Sequence, residues 1–318
     1  LDAASKDAGP TTVPSSDIDA SAPVGRLVEE TAAAFERIGM PLSRRWAETL
    51  VMAVLGVPHA ELDAHAGRTL GPEGRRRFEE ISRQASPEEP LAYVIGQAPF
   101  LDWDFEISRD TLIPKVDTEL FVRAVLEELA RRPLPEEPHV LELGTGSGCL
   151  AISLAKTLPG ARVVATDISP GALAVAARNV ARHGVGDRLA LGQGDLFEPV
   201  PPLAEGRPFD LIISNPPYIP TENIPGMGRH VAEHEPLLAL DGGADGLALH
   251  GRILDAVADY LAPGGRVLLE HEWYHGAAAR ALAERPPDRY DDVRTLVDAN
   301  GRDRAVHARR RTGPKVVA

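Results

Sequence analysis

The 318-residue chain carries 47 acidic against 34 basic residues, a net charge of −13 that works against attraction to phosphate backbones and so against a nucleic-acid substrate. A hydrophobic fraction of 43% is ample for more core than one average domain needs, so two unequal domains are expected. The single cysteine, Cys149, excludes an intrachain disulfide framework and suits a reducing, cytoplasmic setting, and no apolar run nears the ~20 residues that cross a bilayer.

Residues 1–22 are rich in Ala, Ser, Asp and Pro and lack a basic region followed by an apolar segment, so they read as a flexible tail, not a secretory signal. Residues 23–88 read as a small helical domain. Leu27, Val28, Thr31, Ala34, Phe35 and Ile38 follow a 3.6-residue period that ends at Gly39-Met-Pro41. Ser43 is placed to cap a second helix carrying Trp46, Leu50, Val51, Val54 and Leu55, ended by Gly56 and Pro58. A charged third helix spans 72–84. Between 89 and 114 the pattern changes: Phe100, Trp103, Phe105 and Ile107 alternate with polar residues as in a short hairpin linking two domains. Asp117 then offers an N-cap to a helix running to Arg132.

From His139 onward strands and helices alternate, which predicts an α/β domain with a mostly parallel sheet covered on both faces. Seven strands are expected: Val140–Leu143, Arg162–Ile168, Leu189–Gln193, Asp210–Ser214, Arg266–Glu270, Val293–Val297 and Ala305–Ala308. Ser169-Pro170 after the second is a helix start, with a cap followed by proline at the first helical position.

Four of these strand ends carry groups suited to a ligand. After the first comes Glu142-Leu-Gly144-Thr145-Gly146-Ser-Gly148, where glycines let a ligand approach the backbone. Its last glycine comes one residue too early for the dinucleotide fingerprint, so an adenosyl ligand without pyrophosphate is favoured. Asp167, followed by Ile168, is placed to accept from ribose hydroxyls, and Asp195 to accept from an adenine amino group with Leu196 and Phe197 packed on the ring. The fourth strand ends in Asn215-Pro216-Pro217-Tyr218. Each proline fixes its own φ and biases the residue before it toward extended geometry. The Asn215 side-chain oxygen and the Pro216 carbonyl are thereby offered to a planar nitrogen carrying two N–H bonds. The alternative for this stretch is a plain strand-terminating turn, and for either acid alone a surface or capping role.

These motifs, with Pro90-Leu-Ala-Tyr-Val-Ile-Gly96, Thr111-Leu-Ile-Pro114, Asp117-Thr-Glu119, Glu235-Pro236 and Asp241-Gly-Gly-Ala-Asp-Gly-Leu247, resemble the protein-glutamine N-methyltransferases that act on peptide-chain release factors, over roughly residues 45–310. The resemblance implies a seven-stranded Rossmann-like class I methyltransferase domain over 115–318 and S-adenosyl-L-methionine as cofactor. It implies cofactor contacts at Glu142, Gly144, Thr145, Gly146, Gly148, Asp167, Ile168, Asp195, Leu196 and Asn215. Asn215 to Tyr218, with Glu235 and Glu272, would hold the acceptor, and the helical domain would help dock the release factor. The chain departs from the family pattern in having Lys115-Val116 in place of Arg-Pro, and Glu272 and His275 after the fifth strand. A second reading is a small-molecule enzyme methylating a free amino acid side chain such as the arginine guanidinium, held by Glu222, Glu233, Glu235 or Glu272. DNA adenine methylation shares the Asn-Pro-Pro-Tyr loop but sits badly with the acidic balance. A non-catalytic binding module is the last alternative. His271-Glu272-Trp-Tyr-His275 spells a zinc-protease motif, yet it straddles a strand end where that chemistry needs a helix, so no metal is expected.

Overall fold

The computed structural model describes residues 18–285 and 288–312. The chain divides into two compact units, Leu1–Arg109 with Met227–Glu235, and Asp110–Gly226 with Pro236–Ala318.

The first unit is built from α1 (Val24–Arg37), α2 (Ser43–Leu55), α3 (Pro72–Gln84) and α4 (Leu91–Ile95), followed by an antiparallel hairpin of β1 (Gln97–Phe100) and β2 (Trp103–Glu106). Leu27, Phe35, Leu50, Val51, Phe78 and Leu91 close its core. The expected breakers act as read: Gly39 and Gly56 take φ of +79° and +68°, the left-handed geometry that ends a helix with little strain. Ser43 does not cap α2. Its hydroxyl donates back to the Met40 carbonyl at 2.6 Å, and Leu42, at φ +54°, occupies the N-cap position.

The tail also needs correcting. Residues 1–17 lie outside the described residues, but 18–22 are held: Ser21 donates to the Asp19 carboxylate through both its backbone N–H and its hydroxyl, Ala20 packs in the helical core and Ala22 is buried, so the chain is committed earlier than its composition suggests. The segment 227–235 belongs to this unit through Arg229 on Glu88 (2.6 Å) and Arg109 on His234 (2.9 Å).

In chain order the remaining elements are α5 (Val116–Arg131), β3 (His139–Leu143), α6 (Cys149–Thr157), β4 (Arg162–Asp167), α7 (Pro170–His183), β5 (Leu189–Gln193), α8 (Val200–Leu203) and β6 (Phe209–Ser214). After α9 (Arg229–Ala232), which lies in the helical unit, come α10 (Ala248–Ala256), β7 (Leu261–Glu270), α11 (Gly276–Glu284), β8 (Tyr290–Val297) and β9 (Asp303–Arg310). The seven strands β3 to β9 form one sheet in the order β5-β4-β3-β6-β7-β9-β8. The first five are parallel, and β9 and β8 are added antiparallel. The continuous apolar run Leu211-Ile212-Ile213 is fully buried, as a central parallel strand covered on both faces requires. β7 begins at Leu261, five residues before the expected Arg266, because Pro-Gly-Gly is absorbed into the strand where β6 and β7 shift register. Among the described residues no helix is long and apolar enough to cross a membrane.

The start of α5 is set differently from expectation. Asp117 lies inside the first turn and Lys115, in extended geometry, holds the N-cap position. The Asp117 carboxylate is taken by Arg304 of β9 at 3.1 Å, and Arg304, 2% exposed, also reaches Asp298 at 2.9 Å. Asp298 accepts in addition from the N–H groups of Asn300 and Arg302. Removing one partner of a buried pair leaves an uncompensated charge, which costs more than the intact pair contributes. Arg304→Met is therefore expected to destabilise by about 3–5 kcal/mol in urea denaturation, with much of the loss recovered by adding Asp298→Asn. A loss below about 1 kcal/mol would mean that the carboxylates are solvated rather than paired.

Candidate active site

β3 delivers the chain into three alternating glycines, Gly144, Gly146 and Gly148, at φ +70°, +56° and +82°. A Cβ on Gly144 or Gly146 would meet nothing within 4 Å among the described residues, so that side of the loop is open to them, whereas one on Gly148 would press on Ile152 at 3.2 Å and Ala176 at 3.3 Å. The first two glycines therefore leave an accessible backbone face, and the third lets α6 and α7 close behind it.

The loop is held from beneath by Glu142. Its Oε2 accepts from the Thr145 hydroxyl at 2.5 Å and from the Ala151 N–H at 3.0 Å, which ties the turn to the start of α6. Burial pushes this carboxyl up to about 8 against the pull of those two donors. Asp167 spans the gap to the next strand: Oδ2 accepts from the Gly146 N–H at 2.8 Å and Oδ1 from the Ser169 N–H at 2.9 Å. Each carboxylate oxygen can accept again, so Asp167 keeps capacity for a diol. Ile168 beside it is 48% exposed, an apolar surface next to that acceptor. Ser169 caps α7 as expected, accepting from the Ala172 N–H at 3.1 Å. An adenosyl group fits this cradle of open glycine backbone, diol acceptor and exposed aliphatic face.

The turn after β5 differs from expectation. Asp195 is partly exposed, and its Oδ2 is engaged by Arg252 at 2.6 Å. Phe197 is not available to a ligand ring: it is buried and stacks on Tyr260, centroids 4.4 Å apart. Leu196, at φ +50°, reverses the backbone between the two, and its carbonyl accepts from the Thr166 hydroxyl at 3.1 Å.

β6 ends with the Ser214 hydroxyl donating to the Leu143 carbonyl at 2.7 Å, which binds the start of the Asn-Pro-Pro-Tyr loop to the start of the glycine loop. Pro216 is buried, while Asn215, Pro217 and Tyr218 are half-buried. The Asn215 amide donates from Nδ2 to the Thr118 hydroxyl at 3.0 Å, and Thr118 donates to Glu270 Oε1 at 3.1 Å. Downstream the loop is clamped by its glycine-rich neighbour. Ile219 N–H donates to Leu240 and Gly242 N–H to Ile219, and a Cβ on Gly246 would strike the Tyr218 carbonyl and His275. Burial, then the nearby Glu270, Glu272 and Asp117, hold the Tyr218 phenol well above its ordinary range, so it is neutral.

Other expected residues have local partners. Glu272 accepts from the Trp273 N–H at 3.2 Å and so caps the turn Trp273–His275. Glu235 is buried in the helical unit near Tyr93, whose phenol it helps to raise. His271 follows the last residue of β7 and His275 ends the short turn, so the two do not share one helical face. Thr118, Glu270 and Gly246 are site residues that motif reading left without a role. All three lie within stretches it did quote, but only their contacts reveal what they do.

Residues 26–96 match the PrmC N-terminal domain and residues 116–227 the Methyltransferase small domain. The release factor glutamine methyltransferase of Geobacter sulfurreducens is 39% identical over 286 residues, covering 90% of this chain and 96% of that protein. That of Moorella thermoacetica is 39% identical over 289 residues, covering 91% and 97%. In fold, the catalytic domain of hMettl16 superposes with a TM-score of 0.50 over 72% of this chain and 80% of that one, at 16% identity. The chain thus belongs to the release factor glutamine methyltransferases, a family of S-adenosylmethionine-dependent N-methyltransferases.

Proposed function

We propose that this enzyme methylates the side-chain amide nitrogen of a glutamine in a peptide-chain release factor, with the Asn215–Tyr218 loop gripping that amide. Gly144 to Gly148, Asp167, Ile168 and the Asp195–Leu196 turn hold S-adenosylmethionine in this reading, Asp195 through the acceptor capacity that Arg252 leaves it. Glu142 acts one step back, by fixing the loop. When bound, the cofactor supplies an electrophilic methyl group on a sulfonium.

The observation that carries the reading is the hydrogen bond from Asn215 Nδ2 to Thr118. With one N–H of its NH₂ given to Thr118, the carboxamide turns its oxygen to the other edge, beside the carbonyl of Pro216, a residue without an N–H of its own. An amide nitrogen is a poor nucleophile because its lone pair is delocalised into the carbonyl. Two acceptors that each take one N–H fix its plane and stabilise the positive charge that grows on it, so positioning and preorganised dipoles do most of the work. Tyr218, neutral, packs against the acceptor and is not a base. No base is required at the outset, since the nitrogen sheds its proton once it has gained a bond.

The names of the curated relatives support a protein glutamine over free arginine. Of the acids that a guanidinium would need, Glu222 is exposed, Glu233 pairs with Arg229, Glu235 belongs to the helical unit and Glu272 caps its turn. We place the reaction in the cytoplasm and read the acidic chain as having no nucleic-acid partner.

Asn215→Ala should lower kcat by on the order of 10²–10³ in a labelled-methyl transfer assay on release factor, with cofactor affinity by calorimetry changed only a few-fold. The same assay on free arginine should give no signal, and an active Asn215→Ala enzyme would sink the proposed grip. Glu142 gives a second test. Its folded pKa of about 8 lies above the ordinary 4.5, so between these values the folded state keeps a proton that the unfolded chain has released. Its contribution to stability is complete below 4.5 and is lost as pH rises toward about 8. Denaturation series should show the native protein losing more stability than Glu142→Gln over that window; parallel curves would mean that the carboxyl is ionised in the fold.

A further inference from the structure

We infer that Thr118 and Glu270 are positioning residues that determine which way round the Asn215 carboxamide stands. The inference rests on the reading that Asn215 holds the acceptor amide.

The oxygen and nitrogen of a carboxamide are nearly equal in size, so shape alone does not choose between the two orientations. Hydrogen-bond polarity does. Glu270 Oε1 lies 3.1 Å from Thr118 Oγ1, which lies 3.0 Å from Asn215 Nδ2. A hydroxyl has one hydrogen. Spent on Glu270, it leaves Thr118 able only to accept, and the group facing it must then be the NH₂ of Asn215. The oxygen is turned to the opposite edge of the amide plane. A reversed carboxamide would present NH₂ to the acceptor's NH₂, donor against donor, and the grip would be lost. Burial pushes Glu270 up to about 8; the direction holds for the carboxylate and for a carboxyl protonated on Oε2, whereas a proton on Oε1 would donate to Thr118 and reverse it.

Two further observations separate this from an incidental core contact. Glu270 is fully buried and its Oε2 has no hydrogen-bond partner among the described residues, so the side chain is a poor choice on stability grounds alone. The three residues also come from separate elements. Ser214 pairs with Leu269, which sets Asn215 and Glu270 at equivalent positions just beyond that pair, while Thr118 sits in the first turn of α5, where the neighbouring Asp117 is tied to buried Arg304.

The test uses the full-length enzyme with release factor, reading kcat, cofactor affinity and melting temperature for Thr118→Val, Thr118→Ser, Glu270→Gln and Asn215→Ala. Thr118→Val should lower kcat by about tenfold to a hundredfold with cofactor affinity nearly unchanged, and Thr118→Ser should restore most of it. Glu270→Gln can donate to Thr118, whose hydroxyl is then free to donate onward and favour the reversed amide, so it too should lose kcat. Thr118→Val added to Asn215→Ala should cost nothing more. An active Asn215→Ala enzyme overturns the underlying reading of the loop. An inactive Asn215→Ala beside a fully active Thr118→Val overturns the polarity inference alone, as does a Thr118→Val whose activity falls only in step with melting temperature and cofactor affinity.

Discussion

The site depends on strand register. In a parallel sheet the carbonyl ends of the strands point the same way, so the loops that follow them share one edge. Here Leu143 pairs with Thr166 and with Ser214, Asp167 with Gln193, and Ser214 with Leu269. The glycine loop, the Asp167 acceptor, the Asp195 turn, the Asn-Pro-Pro-Tyr loop and Glu270 therefore leave the sheet at nearly one level. Slipping any strand by a single residue would exchange its two faces and carry its terminal group to the wrong side. The apolar content of the strands, far from any reacting atom, is what fixes the chemistry in place.

On that frame the polar groups are arranged as supports for backbone. Glu142 and Asp167 each use their carboxylates on N–H groups of the glycine loop or its neighbours, and Ser214 ties the glycine loop to the Asn-Pro-Pro-Tyr loop. Such bonds are worth more in a dry interior than on the surface, and equally costly there when left unmade. The raised positions of Glu142 and Glu270 follow from the same dryness: neither has a cation close enough to outweigh burial. A rigid, poorly hydrated floor suits a reaction whose acceleration comes from aim rather than from proton transfer.

What was legible in the sequence is what is encoded locally. Glycines at alternate positions, Ser169-Pro170 and the double proline after β6 act within a few residues of where they stand, and the apolar runs gave the seven strands. What was not legible depends on partners far along the chain. Asp195 meets Arg252 fifty-seven positions later, Asn215 meets Thr118 ninety-seven positions earlier, and Thr118 meets Glu270 across 152. The turn at Leu196, whose left-handed backbone sends Phe197 into the core, could not be inferred from a leucine. Ser43 and Asp117 are good capping residues by type, yet Leu42 and Lys115 take the N-cap positions and the two side chains serve other contacts. The return of residues 227–235 to the helical unit carries no local signature either.

The positions read from the sequence as departures from the family pattern, Lys115-Val116, Glu272 and His275, have local settings in the structure. Proline at the first position of a helix is useful because its φ is already helical. Val116 gives up that advantage at the start of α5, but the turn is anchored by the pair between Asp117 and buried Arg304, so the helix has a fixed origin without it. Glu272 spends its carboxylate on the turn that follows β7, and His275 packs where Gly246 lets the chain pass close to the Tyr218 carbonyl. Two of the departures, Glu272 and His275, thus lie beside the Asn-Pro-Pro-Tyr loop. Thr118, Asn215, Pro216 and Glu270, the residues that would set the direction of the hydrogen bonds to the reacting amide, lie outside the altered positions. Under the proposed grip, only a substrate whose reacting nitrogen lacks two N–H bonds would require that polarity to change, since it could not satisfy two inward-facing acceptors.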